Sequence, residues 1–319
     1  MKKLAKYIES QWYDNFTWFR FLIPFSYLFI FIISIRKKIQ IRHSKTNNNL
    51  PIWVVGEISV GGSGKSPFVI WLVEFMLKQG LKPVVICSGY KGSLPNIMSE
   101  QCFADSDYKV YGDEAVMLAK LVNSPVVVGK QRNLAVEFIN NNITDCNIII
   151  CDDGLQHYKM RRDKEIVIYN DARIGNGYCF PAGPLREPKS RLKSVDLIVC
   201  NDNNLKEVKL LPKCIASIYT VETKRFAEFP KRVHAVAGIG APKKFFDLLR
   251  SLNFEIIEHA FPDHYAFKEQ DLNFNDDLPI ILTSKDAVKC TSFSIPNIWQ
   301  LLFELEVSPE ITAKILQML

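Results

Sequence analysis

IWVVGEISVGGSGKSP, residues 52–67, combines an apolar run, a glycine-rich turn and a lysine–serine pair. The run at 52–55 has the length and the branched side chains of a buried strand, and helical spacing begins at Lys65. In a glycine-rich turn between a strand and a helix, backbone N–H groups point inward and bind phosphate, helped by the positive end of the helix dipole. The stretch therefore predicts a phosphate-binding loop.

The predicted loop implies a nucleotide and a metal ion. Lys65 would reach the β and γ phosphates and Ser66 would hold Mg²⁺, so ATP and Mg²⁺ are the expected cofactors. The strict pattern has glycine where Ser59 stands, which keeps an ordinary glycine-rich turn as the alternative. The predicted cofactor-binding residues are Ser59, Val60, Gly61, Gly62, Ser63, Gly64, Lys65 and Ser66.

From residue 51 onward, short runs rich in Val and Ile alternate with stretches of helical spacing. Such alternation predicts a doubly wound α/β domain with a largely parallel sheet. A second round of strand and helix signals, after residue 215, predicts a smaller C-terminal α/β domain. The expected strands of the first domain lie at 51–56, 82–88, 124–129, 147–154, 165–170 and 195–201.

Composition restricts the class of protein. With 319 residues, 48% of them hydrophobic, the chain is long enough for two modest domains with buried cores. The net charge of +6 is mild, and no basic stripe with interleaved aromatic residues argues for nucleic acid. The eight cysteines form no CxxC pair and several lie in apolar runs, so we expect reduced thiols in a cytosolic compartment.

The N-terminal segment, residues 1–43, contains FLIPFSYLFIFIISI, fifteen uncharged residues flanked by lysines and arginines. A bilayer-spanning helix needs about 20 apolar residues, so a shallow or re-entrant anchor on an anionic lipid surface is expected. A cleaved signal peptide is disfavoured, because IRKKIQIR follows instead of small residues. A buried core helix is the other alternative, and Trp12 and Trp18 argue against it because they suit a membrane interface.

Two aspartates end the apolar run of NIIICDDG. A carboxylate at the carboxyl end of a strand, near the predicted phosphate loop, can bind Mg²⁺ directly or through water. The predicted metal residues are therefore Ser66, Asp152 and Asp153. An aspartate that merely shapes a polar turn is the alternative interpretation.

Three further stretches carry candidate site residues. Asp113 of GDEA could cap a helix or accept a proton from an attacking hydroxyl. His264 of FPDHYAF could pair with a carboxylate across a cleft between domains. Prolines hold Arg186 and Glu187 in GPLREP, where Arg186 could neutralise phosphate oxygens, unless this is a solvated surface loop.

Together these motifs resemble those of the tetraacyldisaccharide 4'-kinases, membrane-associated enzymes that phosphorylate the lipid A precursor disaccharide. The resemblance extends from the apolar N-terminal segment nearly to the end of the chain. It rests on GEISVGGSGKSP, GDEA, CDDGLQH, GPLREP, AGIGAPKKFF, FPDHY and TSKDAVK, in that order.

The resemblance implies ATP-dependent phosphorylation of the 4'-hydroxyl of a tetraacyldisaccharide 1-phosphate, giving lipid IVA. It implies a P-loop kinase domain (44–214) joined by a hinge to the smaller C-terminal domain (215–319). The expected partners are the acylated disaccharide and the inner-membrane lipid surface of a Gram-negative bacterium, on its cytoplasmic face. The chain is expected to be a monomer that binds no nucleic acid.

Residue by residue, the resemblance implies a catalytic role for Lys65 and a catalytic base, Asp113, that works with His264. It places His157 in the metal and phosphate region, beside Asp152 and Asp153. The implied substrate contacts are Tyr90, in a motif like SRGY, together with Arg186 and Glu187 of the active-site loop.

The sequence departs from the family pattern at three positions. Ser88 stands where arginine is usual, Glu57 where asparagine is usual, and Ser284 where glutamate is usual. Lys91 could supply the positive charge that Ser88 lacks, and we expect none of the three to touch the core chemistry. The alternative functions are a membrane-tethered ATPase or GTPase switch and a lipid-binding protein with a vestigial site.

Overall fold

The computed structural model describes residues 11–13, 18–44, 50–62, 64–201 and 207–319. Within them the chain forms two α/β units in succession, so the predicted α/β class with largely parallel sheets is confirmed. Ser63 of the predicted loop and the lysines before residue 10 lie outside the described residues. All eight cysteines are described, and they carry free thiols.

In the described part of the chain, seven strands form the first sheet, in the order β3-β4-β2-β5-β1-β6-β7. All pairs are parallel except β3 with β4, which is antiparallel. The strands are β1 (Ile52–Gly56), β2 (Pro83–Cys87), β3 (Ser99–Cys102), β4 (Val126–Gly129), β5 (Ile148–Asp152), β6 (Lys164–Tyr169) and β7 (Leu197–Cys200). Most of these strands are covered on both faces, which explains their uninterrupted Val and Ile runs.

Four helices of eight or more residues lie in this part of the chain. They are α1 (Ile23–Arg42), α2 (Lys65–Lys78), α3 (Asp113–Leu121) and α4 (Arg132–Asn142), with a four-residue helix at Tyr108–Tyr111. Helix α2 buries Phe68, Leu72 and Met76 against the sheet. Helices α2 and α3 were expected from the sequence, whereas α4 was not.

The second sheet has six strands among the described residues, in the order β11-β10-β12-β13-β8-β9. Strands β10 to β13 pair in parallel, while β8 is antiparallel to β13 and β9. Strand β8 crosses residues 214 and 215, where the sequence analysis divides the two domains. The elements are β8 (Val208–Ser217), β9 (Thr223–Lys224), β10 (Arg232–Ala237), α5 (Pro242–Ser251), β11 (Glu255–Ala260), β12 (Ile280–Thr283), a short helix Ser284–Ala287, β13 (Ile298–Val307) and α6 (Pro309–Met318).

The two sheets share an apolar core. Ile311 and Ile315 of α6 are fully buried in the same cluster as Leu72 and Met76 of α2, and Leu305 of β13 packs against it. The C-terminal helix and β13 therefore lie in the same apolar core as α2 of the first unit. This packing fixes the relative position of the two units.

Helix α1 contacts the first unit through Ser26, Phe29 and Lys37, and many of its other side chains are exposed. Ser26 Oγ donates to Cys179 O at 2.5 Å and accepts from Ala182 N at 3.2 Å. Among the helices described, none combines the length and apolar character needed to cross a bilayer. Trp12, taken above as an interfacial residue, is instead buried and donates to Pro181 O at 3.2 Å.

We predict that Ile315→Ala lowers the free energy of unfolding by about 2–5 kcal/mol, because it leaves a cavity in the shared core. The measurement is urea denaturation followed by circular dichroism. Leu316→Ala is the matched control, since Leu316 is 52% exposed and should cost less than about 1 kcal/mol. Equal effects of the two changes would contradict a shared core at α6.

Candidate active site

The glycine-rich turn lies between β1 and α2, as the sequence predicts. Gly61 and Gly64 have φ of +109° and +95°, a region that side chains rarely adopt. A Cβ at Gly64 would lie 2.5 Å from Asn201 Nδ2, so the turn also passes close to the end of β7. Val60 N donates to Pro184 O at 2.8 Å and Ser59 bridges to Leu185, which joins the turn to the GPLREP loop.

Lys65, the first residue of α2, is held by two carboxylates. Its Nζ donates to Oε1 of Glu57 and lies 3.5 Å from Oδ1 of Asp153. Burial alone would lower the pKa of Lys65, but Asp153 and Glu57 raise it above the ordinary value, so the amine stays charged. The expectation that Glu57 does not touch the core chemistry was wrong, because Glu57 contacts the phosphate-loop lysine directly.

The paired aspartates differ in environment although they are adjacent. Asp152 ends β5 and is 6% exposed, and burial raises its pKa to about 7 despite the charge of Lys65. Asp153 has φ of +49° and pairs with Arg186 Nη1 at 3.1 Å. Burial alone would raise the pKa of Asp153, but Lys65 and Arg186 hold it below the ordinary value. Asp153 therefore stays ionised.

These oxygens fit Mg²⁺, which proteins usually hold through one or two carboxylates plus substrate phosphates. Oδ1 of Asp152 is buried and has no hydrogen-bond partner among the described residues. Ser66 follows Lys65 at the start of α2, where the phosphate loop opens. Within the described ranges, no three His, Cys, Asp or Glu side chains are arranged to hold a metal ion by themselves. The donor set thus suits a metal that phosphate oxygens help to bind.

The GPLREP loop is anchored rather than solvated. Glu187 is 5% exposed, accepts from Gln156 Nε2 at 2.9 Å and from Tyr158 Oη at 2.5 Å, and lies 3.3 Å from Arg191 Nε. A buried carboxylate with three partners fixes the backbone beside it. The neighbouring Arg186 is thereby directed at Asp153, and the solvated-loop alternative is excluded.

His157 and Arg132 lie close to the aspartates at the carboxyl end of β5. Burial and the charge of Arg132 lower the pKa of His157 to about 4, so its ring is neutral at neutral pH. Arg132 is fully buried and donates to Gly129 O at 2.6 Å and to Asp152 O at 3.0 Å. Arg132 carried no sequence signal, and its structural role is to fix the end of β5 against α4.

The second unit reaches the site through His264. Asp113, the first residue of α3, is 4% exposed, and its Oδ2 lies 2.7 Å from Nδ1 of His264. His264 has φ of +59°, and its backbone N–H donates to Gly238 O at 2.9 Å. The ring of Tyr90 meets the imidazole edge-on, with centroids 5.5 Å apart. The structure thus brings together three residues that lie far apart in the sequence.

Two lysines of TSKDAVK join this pair, although the sequence analysis assigned them no role. Lys285 Nζ donates to Glu114 at 2.7 Å, and Lys289 Nζ lies 3.5 Å from Asp113 Oδ2. Burial alone would raise the pKa of Asp113, but the hydrogen bond from His264 and the charges of Lys285 and Lys289 hold it below the ordinary value. Asp113 is therefore an ionised carboxylate, able to accept a proton.

Residue 88 is serine, whereas arginine is usual at this position in the family that the motifs resemble. The position therefore carries no guanidinium group. Lys91 Nζ lies 5.8 Å from the ring centroid of Tyr90, which in turn contacts His264. A cation is thus present near this edge of the cleft. Tyr90 itself is 56% exposed and free to contact a ligand.

Comparisons with known proteins agree over almost the whole chain. The family model described as tetraacyldisaccharide-1-P 4'-kinase matches residues 18–319. Tetraacyldisaccharide 4'-kinases from Methylobacillus flagellatus and Legionella pneumophila are 39% and 40% identical to it, over 99% and 96% of this chain and 96% and 95% of their own length. The protein of that name from Coxiella burnetii is 44% identical over 85% of this chain and 82% of its own length.

A solved structure shows the same fold. LpxK from Aquifex aeolicus in complex with ATP superposes with a TM-score of 0.79 at 24% identity, over 95% of this chain and 99% of that one. Because the family model and the relatives each span most of the chain, the chain belongs to the tetraacyldisaccharide-1-P 4'-kinase family.

Proposed function

We propose that this protein transfers the γ-phosphoryl group of ATP to the 4'-hydroxyl of an acylated disaccharide 1-phosphate, giving lipid IVA. The observation that carries the proposal is the buried pair of Asp113 and His264 in a member of this family. A nucleotide switch needs no base for an acceptor hydroxyl. An ionised carboxylate held by residues of the second unit therefore favours transfer over a switch.

Different residues act on the leaving side and on the attacking side of the transferring phosphoryl group. The loop amides and Lys65 bind the phosphates and offset charge on the leaving oxygen. Ser66, Asp152 and Asp153 would hold Mg²⁺, which when bound neutralises charge between the β and γ phosphates. Asp113 accepts the proton of the sugar hydroxyl, and His264 orients it. Because such transition states are loose, positioning should contribute more than basicity.

A cavity of about 650 Å³ next to the phosphate loop supports a lipid acceptor. It lies between α1 and the GPLREP loop, so Phe29 and Ile33 of α1 face Arg186 across it. Arg36 and Lys37 also line it. Apolar side chains beside several cations suit a ligand that carries both acyl chains and phosphate.

Helix α1 supports a membrane surface as partner, on the cytoplasmic face of the inner membrane where ATP is present. Its apolar side chains Phe25, Phe31 and Ile32 are 57%, 63% and 53% exposed. Exposed apolar residues on a helix with a basic C-terminal end are typical of a helix that lies in a lipid interface. Such a helix would let the enzyme meet its acceptor without extracting it from the bilayer.

We predict that Lys65→Ala and Asp113→Ala each lower kcat by about a hundredfold or more while the protein stays folded. The measurement is transfer of γ-³²P from ATP to tetraacyldisaccharide 1-phosphate in detergent micelles. Lys244→Ala, at an exposed lysine of α5, should leave transfer unchanged. ATP consumption without labelled lipid would favour the switch, and near-normal kcat in Asp113→Ala would refute the base assignment.

We predict that Glu57→Gln lowers the Kd for MgATP by about three- to tenfold, because a neutral amide competes less with phosphate for Lys65. A titration with a fluorescent ATP analogue measures it without turnover. Glu74→Gln removes the same charge from the exposed side of α2 and should have no effect. Weaker binding in Glu57→Gln would show that Glu57 helps to hold the nucleotide or its metal.

We predict that a Phe25→Ser, Phe31→Ser double change weakens binding to anionic vesicles at least about tenfold, since each buried phenylalanine contributes about 1.5–3 kcal/mol. Flotation with phosphatidylglycerol-containing vesicles measures the bound fraction. Leu316→Ser, at an exposed site on α6, is the control. Unchanged flotation of the double variant would contradict an interfacial α1.

A further inference from the structure

The ammonium group of Lys285 lies between the two units, next to the Asp113–His264 pair. Its Nζ donates to Oε1 of Glu114 at 2.7 Å and lies 3.3 Å from Nε2 of His264. Glu114 follows Asp113 in α3, whereas Lys285 and His264 belong to the second unit. The side chain of Lys285 is 20% exposed, so it is partly shielded from water.

This contact and the one between Nδ1 and Asp113 favour the same tautomer of the neutral His264 ring. An ammonium group has hydrogens to donate and no lone pair with which to accept. Beside Lys285, Nε2 of the neutral ring must therefore be the acceptor, which leaves the hydrogen on Nδ1. Nδ1 is the atom that lies 2.7 Å from Oδ2 of Asp113. Lys285 thus stabilises the tautomer of the imidazole that donates to Asp113.

The contacts of Asp113 fall on one of its two oxygens. Oδ2 receives His264 Nδ1 and lies 3.5 Å from Lys289 Nζ. Lys289 is in turn held by Asp286, at 2.8 Å. Oδ1 of Asp113 is buried and has no hydrogen-bond partner among the described residues. The carboxylate is therefore oriented with one oxygen fixed and the other free.

We propose that Lys285 is a positioning residue of the transfer reaction, an inference that rests on the function proposed above. By donating to Nε2 of His264, Lys285 keeps the ring hydrogen on Nδ1, which donates to Oδ2 of Asp113. Oδ1 of Asp113 is then available to accept the proton of the acceptor hydroxyl. As the hydroxyl oxygen bonds to the γ phosphorus, its proton passes to Oδ1. The bond to the β-phosphate oxygen breaks, and its electron pair leaves on ADP.

The charges around the pair agree with this role. Burial alone would raise the pKa of Asp113, and the cations that face it prevent the rise. Without Lys285 one of those cations is lost, so Asp113 would become protonated at a higher pH. The charged and titratable groups at this contact, from both units, are Tyr90, Tyr108, Asp113, Glu114, Asp263, His264, Lys285, Asp286 and Lys289.

The test is the pH profile of lipid phosphorylation by Lys285→Met in detergent micelles. We expect kcat/KM for the lipid to fall about tenfold at pH 7, with the acid limb of the profile moved up by about one unit and KM for ATP unchanged. Lys285→Arg should recover most of the rate, because arginine keeps the charge and the donor. Lys243→Met, at an exposed lysine of α5, is the matched control and should follow the wild type.

A double variant separates positioning from independent structural damage. If Lys285 acts through His264, then His264→Ala with Lys285→Met should be no slower than His264→Ala alone. If the two changes instead lower the rate by factors that multiply, the proposal would be overturned. A Lys285→Met variant whose rate falls equally at every pH would overturn it as well.

A second readout requires no turnover. The ring ¹⁵N shifts of His264 in the full chain, assigned by their loss in His264→Gln, should show the Nδ1–H form in the wild type. In Lys285→Met they should show a mixture with the Nε2–H form, and an unchanged spectrum would overturn the proposal. Wild-type protein that labels no lipid would instead overturn the proposed function.

Discussion

The hydrogen bond between Asp113 and His264 joins residues 151 positions apart, one from each α/β unit. A buried carboxylate without partners is costly, and among the described residues the groups that hold Oδ2 of Asp113, His264 and Lys289, belong to the second unit. The two units must therefore keep a fixed relative position for this contact to form. The apolar core between α2 and α6 supplies that relation, because close-packed side chains resist small displacements. Packing far from the site thus sets its geometry.

Among the described residues, the buried carboxylate oxygens without partners lie where the chemistry is expected. Among the described residues, the buried atoms without partners include Oε2 of Glu57, Oδ1 of Asp113 and Oδ1 of Asp152. Native proteins leave few such atoms, and each calls for a reason. The other oxygen of the Glu57 carboxylate accepts from Lys65, and that of Asp113 contacts His264. The backbone O of Asp152 accepts from Arg132. These oxygens are available to bind a metal ion or to accept a hydrogen bond from a hydroxyl group.

The sequence predicted those parts of the fold and site that depend on local order. The buried parallel strands, the glycine-rich turn and Asp152 at the end of β5 follow from residues adjacent in the chain. Strand β3, with the sequence SEQC, has no apolar run because it lies at an edge, and it was missed. The pairing of Asp113 with His264 came from family resemblance, since no spacing encodes a contact between units. The contacts of Lys285 and Glu57 could not be predicted from the sequence, because only the folded backbone brings their partners close to them.

One loop, residues 179–187, connects helix α1 to the candidate active site. Near its start, the backbone of Cys179 and Ala182 bonds the hydroxyl of Ser26 in α1, and a few residues later Arg186 pairs with Asp153. Helix α1 has 20 residues and is therefore about 30 Å long. With α1 on a lipid surface, this attachment sets the height and tilt of the phosphate loop above the bilayer. The network around Glu187 makes the attachment stiff, so the site should meet a headgroup at a fixed depth. Helix α1 and the proposed catalytic centre would then move together as one rigid body.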